Sequence, residues 1–260
     1  MKQVRPKKHL GQHFLTDLGI AKRIADTVDA YPDIPVLEIG PGMGVMTQYL
    51  YPKSREFKCV EIDRESVAYL TETFPKLRGG IIGDDFLKMD LREVFGGQQF
   101  VLTGNYPYDI SSQIFFKMLD NKELIPCCTG MIQREVALRI AATPGNKQYG
   151  ILSVLIQAWY DTEYLFTVDE TVFNPPPKVK SAVIRMTRNK RRRLECDENL
   201  MKTIVKTAFN QRRKQMRNSL QQLAGKDNPV LQKEVFSKRP EQLSVEEFVE
   251  LTKLLQSCQN

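Results

Sequence analysis

Apolar positions along this chain follow two alternating periods. Short apolar runs are each followed by a segment whose apolar residues recur three and four positions apart. The runs Val36 to Ile39, Phe57 to Ile62, Ile81-Ile82, Phe100 to Leu102 and Cys127 to Ile132 predict five strands. Helices are expected between them, from about Val45 to Leu50, through Tyr69 and Leu70, around Ile114, Phe115 and Met118, and from Val136 to Ile140. Ahead of the first strand, Asp17 is placed to cap a helix with Ile20, Ile24 and Val28 on one face, and Tyr31-Pro32-Asp33 breaks it. A further helix is expected over Ile151 to Trp159, then two late strands, Glu163 to Val168 and Ser181 to Met186, joined by a loop containing Pro175-Pro176-Pro177. Regular alternation of strand and helix predicts an α/β fold with a mostly parallel, doubly wound, Rossmann-like sheet and late antiparallel strands.

The run Arg188-Asn189-Lys190-Arg191-Arg192-Arg193 interrupts this alternation, and only helical periodicity follows. Met201, Ile204, Val205 and Ala208 share a face, and Ser244-Val245-Glu246-Glu247 forms a capping box for a last helix through Phe248, Leu251 and Leu255. Two domains are therefore expected, residues 1–190 and a small all-helical domain over 191–260.

Charge adds a partner class to this picture. The 260 residues carry a formal net charge of +7. The excess gathers at the N-terminal arm, with Lys7 and Lys8, at Arg188 to Arg193, and at Arg212-Arg213-Lys214 with Arg217, a segment expected on a helix. Any one such run is compatible with a solvated face, but three together favour a polyanion such as a nucleic acid. No apolar run reaches the roughly 18 residues of a membrane helix, and the N-terminus lacks the apolar core of a signal peptide, so a cytoplasmic protein is expected. The five cysteines show no C-x-x-C spacing. The two histidines, His9 and His13, both lie in the arm, so neither a metal set nor a histidine-based triad is expected.

Candidate chemistry concentrates at strand ends. Glu38-Ile39-Gly40-Pro41-Gly42-Met43-Gly44 follows the first predicted strand. It reads either as an ordinary tight turn or as a place where backbone approaches a ligand closely. Its G-x-G-x-G spacing differs from the G-x-G-x-x-G of dinucleotide sites, and Glu38 suits a cationic ligand end better than a diphosphate. Both points favour S-adenosylmethionine, which carries an amino group and a sulfonium but no phosphate, over a nicotinamide cofactor. Glu61 lies roughly 20 residues beyond Gly42, where a carboxylate can accept from ribose hydroxyls; a strand-end surface acid is the alternative. Ile62 adjoins it. Asp85 or its neighbour Asp84, beside Phe86, can accept from an adenine amine; an exposed acidic turn is the alternative.

Gly104-Asn105-Tyr106-Pro107-Tyr108 follows the fourth strand. It is either a proline-stiffened turn or a base-binding element. The exocyclic amine of adenine is a poor nucleophile because its lone pair is delocalised into the ring. The Asn105 amide oxygen and the Tyr106 carbonyl could hold its hydrogens and favour a pyramidal nitrogen, with Tyr108 stacked on the base. Displacement at a sulfonium methyl then needs positioning and little acid–base work.

Together these stretches resemble the small-subunit (16S) rRNA adenine dimethyltransferases, the bacterial kasugamycin-sensitivity enzymes. The resemblance is carried by Gly11-Gln-His-Phe-Leu15, Glu38 to Gly42, Val60 to Asp63, Asn105 to Tyr108, Met131 to Ala137, Phe173 to Val183 and Ala208 to Leu220. It implies a methyltransferase sheet with a helical RNA-binding domain. Two adjacent adenosines near the 3′ end of 16S rRNA would each be methylated twice, within an assembling 30S particle. S-adenosylhomocysteine would be the product, no metal would be needed, and a monomer would do the work. His13 and Leu15 would touch the methionine and sulfonium end of the cofactor, Gly40 and Gly42 would line it, Glu61 would hold the ribose, and Asp85 the adenine. Asn105 would meet both methyl donor and target amine, and Phe173 would stack on the base opposite Tyr108. Phosphates would fall to Lys7, Lys8, Lys178, Arg212, Arg213, Lys214 and Arg217. This chain departs from the family in two places: Tyr106 stands where leucine is most common, and His13 where asparagine is. The erythromycin-resistance methyltransferases, acting on large-subunit rRNA, are the nearest rival, and a non-catalytic assembly factor on the same fold is a second.

Overall fold

In a computed structural model, which describes residues 6–7 and 12–258, the chain divides into two compact units. The first takes residues up to Ala137 together with Thr162–Arg188, and the second takes Leu138–Asp161 with Asn189 onward.

The chain of the first unit begins with β1 (Phe14–Leu15) and α1 (Leu18–Ala25). Asp17 caps α1 as expected, its carboxylate accepting from Ile20 N. Then follow β2 (Val36–Ile39), α2 (Thr47–Leu50), β3 (Phe57–Val60), α3 (Arg64–Thr73), β4 (Ile81–Ile82), α4 (Leu91–Val94), β5 (Val101–Asn105), α5 (Ser111–Asp120), β6 (Cys127–Gln133) and α6 (Arg134–Ile140). After α7 (Ile151–Gln157) come β7 (Tyr160–Val168), β8 (Phe173–Asn174) and β9 (Ser181–Arg188). The seven-stranded sheet runs β4-β3-β2-β5-β6-β9-β7. β2 pairs in parallel with both β3 and β5, β5 with β6, and β3 with β4, whereas β9 returns antiparallel along β6. The inner strands are covered on both faces: every residue of β2 is buried, and all but Gln133 of β6. That is the signature of a parallel sheet covered on both sides. Cys59, Cys127 and Cys128 are free thiols in this core, and burial pushes the Cys127 thiol up to about 12.

The chain crosses from β2 to β3 on one side and eventually reaches β5 on the other. Such a reversal leaves a crevice beyond the carboxyl ends of β2 and β5. A separate two-stranded pairing forms at its rim, where β1 meets β8 antiparallel, Leu15 opposite Phe173 and Phe14 opposite Asn174. Thr16 N donates to Val172 O, extending it.

The second unit holds α7, α8 (Glu198–Asn210), α9 (Met216–Ser219), α10 (Gln221–Ala224) and α11 (Val245–Gln256). The expected boundary at residues 190/191 leaves out a segment that the structure includes. Five consecutive residues of α7, Leu152 to Ile156, are buried, and a helix apolar on so many sides needs cover that α8 and α11 provide. The expected capping box opens α11: Glu247 N donates to Ser244 Oγ and Ser244 N to Glu247 Oε2. Among the described residues no helix is long and apolar enough to cross a membrane.

Candidate active site

The crevice holds a cavity of about 260 Å3. Its floor is the glycine turn after β2. Gly40, Gly42 and Gly44 have φ of 62°, 55° and 77°, conformations that residues with a Cβ adopt at a cost. At Gly42 a Cβ would also lie 3.0 Å from the Phe14 ring. Bare backbone there turns the Gly42 N–H toward Glu61, whose Oε2 accepts it at 3.0 Å. Glu61 Oε1 accepts from Asp63 N at 2.9 Å. Each oxygen thus uses one acceptor site on the backbone and keeps another for a ligand hydroxyl. Burial raises the Glu61 pKa, and these two N–H donors oppose the rise.

Glu38 lies on β2 beneath the turn, 2% exposed, with Oε2 accepting from Thr47 Oγ1 at 2.6 Å. Burial pushes its carboxyl up to about 8, and the neighbouring Glu61 adds to the rise. A buried acid in this condition suits a ligand cation, which would draw it to its charged form.

The adenine-end candidates also line the cavity. Asp85 is half-buried and accepts from Leu87 N at 3.0 Å, whereas Asp84 is exposed. Both acids that spacing left open line the cavity, and Asp85 is the less exposed of the two. Phe86 is buried beside it, and Ile62 is 55% exposed although it is apolar. His13, Leu15, Gly40 and Gly42 share the same lining.

Asn105, Tyr106, Pro107 and Tyr108 line the same cavity. Asn105 ends β5, and its Nδ2 donates to the His13 carbonyl at 3.2 Å, which leaves Oδ1 as the atom available to accept. The Tyr108 hydroxyl lies 2.5 Å from Ser181 Oγ, anchoring the ring to β9. The His13 ring stacks on Tyr108 with centroids 5.5 Å apart and planes 27° from parallel. His13 Nδ1 donates to the Pro175 carbonyl at 2.8 Å.

Phe173 is not among the residues lining this cavity. It is 4% exposed and packs in the core with Leu15. The aromatic partner that the structure sets against Tyr108 is His13. The physical reason is the β1–β8 pairing: it brings the arm and the proline-rich loop together at the rim and turns Phe173 inward.

These donors and acceptors fit S-adenosylmethionine: paired oxygens at Glu61 for a ribose, a half-buried acid for an amine of a base, and a buried acid for an ammonium. Among the described residues no group of three or more His, Cys, Asp or Glu side chains is placed to hold a metal ion.

The sequence model of the ribosomal RNA adenine dimethylase family matches residues 3–257. The chain belongs to that family. A relative from Bacteroides fragilis, named ribosomal RNA small subunit methyltransferase A, is 69% identical over 252 residues, covering 97% of this chain and 93% of its own length. A protein of the same name from Porphyromonas gingivalis is 60% identical over 257 residues, covering 98% and 100%. A dimethyladenosine transferase from Plasmodium falciparum superposes with a TM-score of 0.79 over 95% of this chain and 98% of its own, at 23% identity, a likeness of fold. The 23S rRNA methyltransferase ErmE is 28% identical, with a TM-score of 0.65, over 92% of this chain and 99% of its own. Family membership makes this chain an S-adenosylmethionine-dependent methyltransferase that modifies ribosomal RNA.

The basic residues expected to meet RNA are placed differently from one another. Lys7 is engaged within the first unit: its ammonium lies 2.5 Å from Asp63 and 3.2 Å from Glu65. Burial raises the Asp63 pKa, but the donors Lys7 and Ser66 outweigh it and hold the carboxyl below its usual range. Lys8 and Gly11 lie outside the described residues. Lys178 is exposed in the loop before β9. Arg212, Arg213 and Lys214 sit in the turn between α8 and α9 rather than on the expected helix; α8 ends at Asn210, and the Gln211 N–H closes it on Ala208 O. Arg213 and Lys214 are exposed, whereas Arg212 Nη2 donates to Asn146 O at 3.3 Å. Arg217 Nε is buried with no hydrogen-bond partner among the described residues.

Sequence reasoning did not single out Asp63, Ser181, Gln12 or Met46, all of which bear on this site. Asp63 caps α3, its side chain accepting from Glu65 N, and pairs with Lys7 from far away in the chain. Ser181 stood within the proline-rich motif, with nothing local to connect it to Tyr108.

Proposed function

We propose that this enzyme dimethylates the exocyclic amines of two adjacent adenosines near the 3′ end of 16S rRNA. It would act as a monomer in the cytoplasm, on an assembling small ribosomal subunit. The observation that carries this reading is that the Asn105–Tyr108 turn and the Glu61–Gly42 pair open into one cavity. A target base and a methyl donor can therefore meet without crossing bulk solvent.

S-adenosylmethionine supplies an electrophilic methyl group when bound. Glu61 would hold its ribose, Asp85 its adenine, with Ile62 and Phe86 against the ring, and Glu38 would face the ammonium. Asn105 Oδ1 and the Tyr106 carbonyl would accept from the target amine and return its lone pair toward the reacting carbon. Tyr108 would support the base by stacking. His13 lies where the second ring is needed, so Phe173 would have to leave the core to take that part. No protein base is required while the amine is neutral, because the proton can leave after transfer. A duplex hides this amine, so the adenosine would be flipped from its stack. Phosphate contacts are assigned to Lys178, Arg212, Arg213, Lys214 and Arg217.

The test offers labelled S-adenosylmethionine with unmethylated small subunits, naked rRNA and large subunits. Label is expected on small-subunit RNA. Label on large-subunit RNA alone overturns the proposal in favour of the activity that the name of ErmE describes. Cofactor binding without transfer to any RNA supports a non-catalytic assembly role.

A further inference from the structure

The proposed reaction uses the carbonyl of Tyr106 but not its side chain, which is 1% exposed and runs back under the turn. The ring lies against glycines. Gly104 of β5 and Gly130 of β6 are register partners. A Cβ at Gly104 would lie 3.4 Å from the ring, and one at Gly130 would lie 2.8 Å from Cε2 and 2.3 Å from the Gly104 carbonyl. Phe115 of α5 meets the ring edge-on at 5.7 Å.

The hydroxyl sits 3.0 Å from the Thr129 carbonyl, 3.3 Å from the Leu102 carbonyl and 3.2 Å from Cys128 Sγ. A phenol has one proton and carbonyls only accept, so the proton is shared between the two carbonyls and the thiol donates to the phenol oxygen. The main chain is held as well, because Tyr106 N donates to Met131 O at 2.9 Å. With N–H and side chain both fixed, Cα is fixed. Pro107 then restricts the ψ of the residue before it, so the direction of the Tyr106 carbonyl is set.

We propose that Tyr106 is a positioning residue whose phenol ties the Asn105–Tyr106 backbone to β5 and β6, so that the two acceptors for the target amine are held in place before the base arrives. The proposal rests on reading this turn as the place of methyl transfer. A leucine at this position would fill part of the slot but reach neither carbonyl.

Tyr106→Phe, Tyr106→Leu, Asn105→Ala and the wild-type enzyme are compared for kcat and KM on small-subunit RNA, for S-adenosylhomocysteine affinity by calorimetry, and for Tm. Tyr106→Phe keeps the shape and loses only the hydroxyl. Its kcat is expected to fall about ten-fold, with cofactor Kd and RNA KM within about two-fold, and Tyr106→Leu to fall by about a hundred-fold. An unchanged kcat in Tyr106→Phe, or a fall matched by lost cofactor binding, reduces the phenol to a packing group and overturns the proposal. The controls separate this from failure of the underlying reading. A wild-type enzyme silent on every RNA sinks both, whereas an active wild type, a dead Asn105→Ala and an active Tyr106→Phe sink the tether alone.

Discussion

Asn105 and Glu38 meet opposite demands inside one cavity. Asn105 spends its donor on the His13 carbonyl and so presents an acceptor. Replacing it with alanine removes that acceptor without touching the Glu61 end. Transfer is expected to fall below detection while S-adenosylhomocysteine still binds within about three-fold of wild type, since an interaction made only in the transition state lowers kcat rather than affinity; near-normal turnover would refute the role. Glu38 is different, because its carboxyl is held up to about 8 by burial. It binds a proton in the folded state that the unfolded chain has already released, so its contribution to stability is lost as pH rises from the ordinary carboxylate range through about 8. Glu38→Gln keeps an acceptor for Thr47 but has no proton to lose. Its urea midpoint is expected to gain on the wild type steadily between pH 5 and 8; parallel curves for the two proteins would show that Glu38 ionises freely. At this scale Glu61 and the Asn105–Tyr108 turn stood out as candidates from spacing and strand ends, whereas spacing left Asp84 and Asp85 open. The packing of Phe173 was not, because whether a ring faces a ligand or the core depends on strand pairing rather than on its neighbours in sequence.

Elements were legible where local rules decide them. Asp17 caps its helix through a side-chain oxygen as expected, and Ser244 and Glu247 complete their box. Ser244→Ala should cost about 1 kcal/mol, seen as a drop of a few degrees in Tm with cofactor affinity unchanged; an unaltered Tm would mean that the cap contributes nothing in this context. Boundaries were less legible. The second strand was expected to continue to Ile62 but ends at Val60, which leaves Glu61 beyond the pairing with β2 and turned to the glycine loop. The Arg212–Lys214 segment was expected on a helix because its charges flank helical periodicity, yet the backbone is a turn.

For the whole molecule, the proposed phosphate contacts and a net charge of +7 predict a salt-dependent affinity for RNA. The triple replacement Arg212→Gln, Arg213→Gln, Lys214→Gln should weaken RNA binding and flatten the plot of log affinity against log salt by about one unit per lost phosphate contact, leaving cofactor binding alone. An unchanged slope would show these cations to be solvated. Lys7→Gln, by contrast, should leave the slope unchanged, because that charge is already paired with Asp63.

The sequence by itself determined the alternation of strand and helix, the mostly parallel sheet, the helical tail, and the position of the candidate motifs at strand ends. Periodicity of two or of 3.6, caps and glycine turns are local properties, written within a few residues. The tertiary structure alone decided what lies far apart in the chain: His13 against Tyr108 and Pro175, Lys7 on Asp63, Phe173 turned into the core, Leu138–Asp161 gathered into the helical unit, and a slot between Gly104 and Gly130 that receives Tyr106. Those pairings follow from close packing of segments brought together by the sheet, and packing is a property of the assembled interior that no single stretch carries.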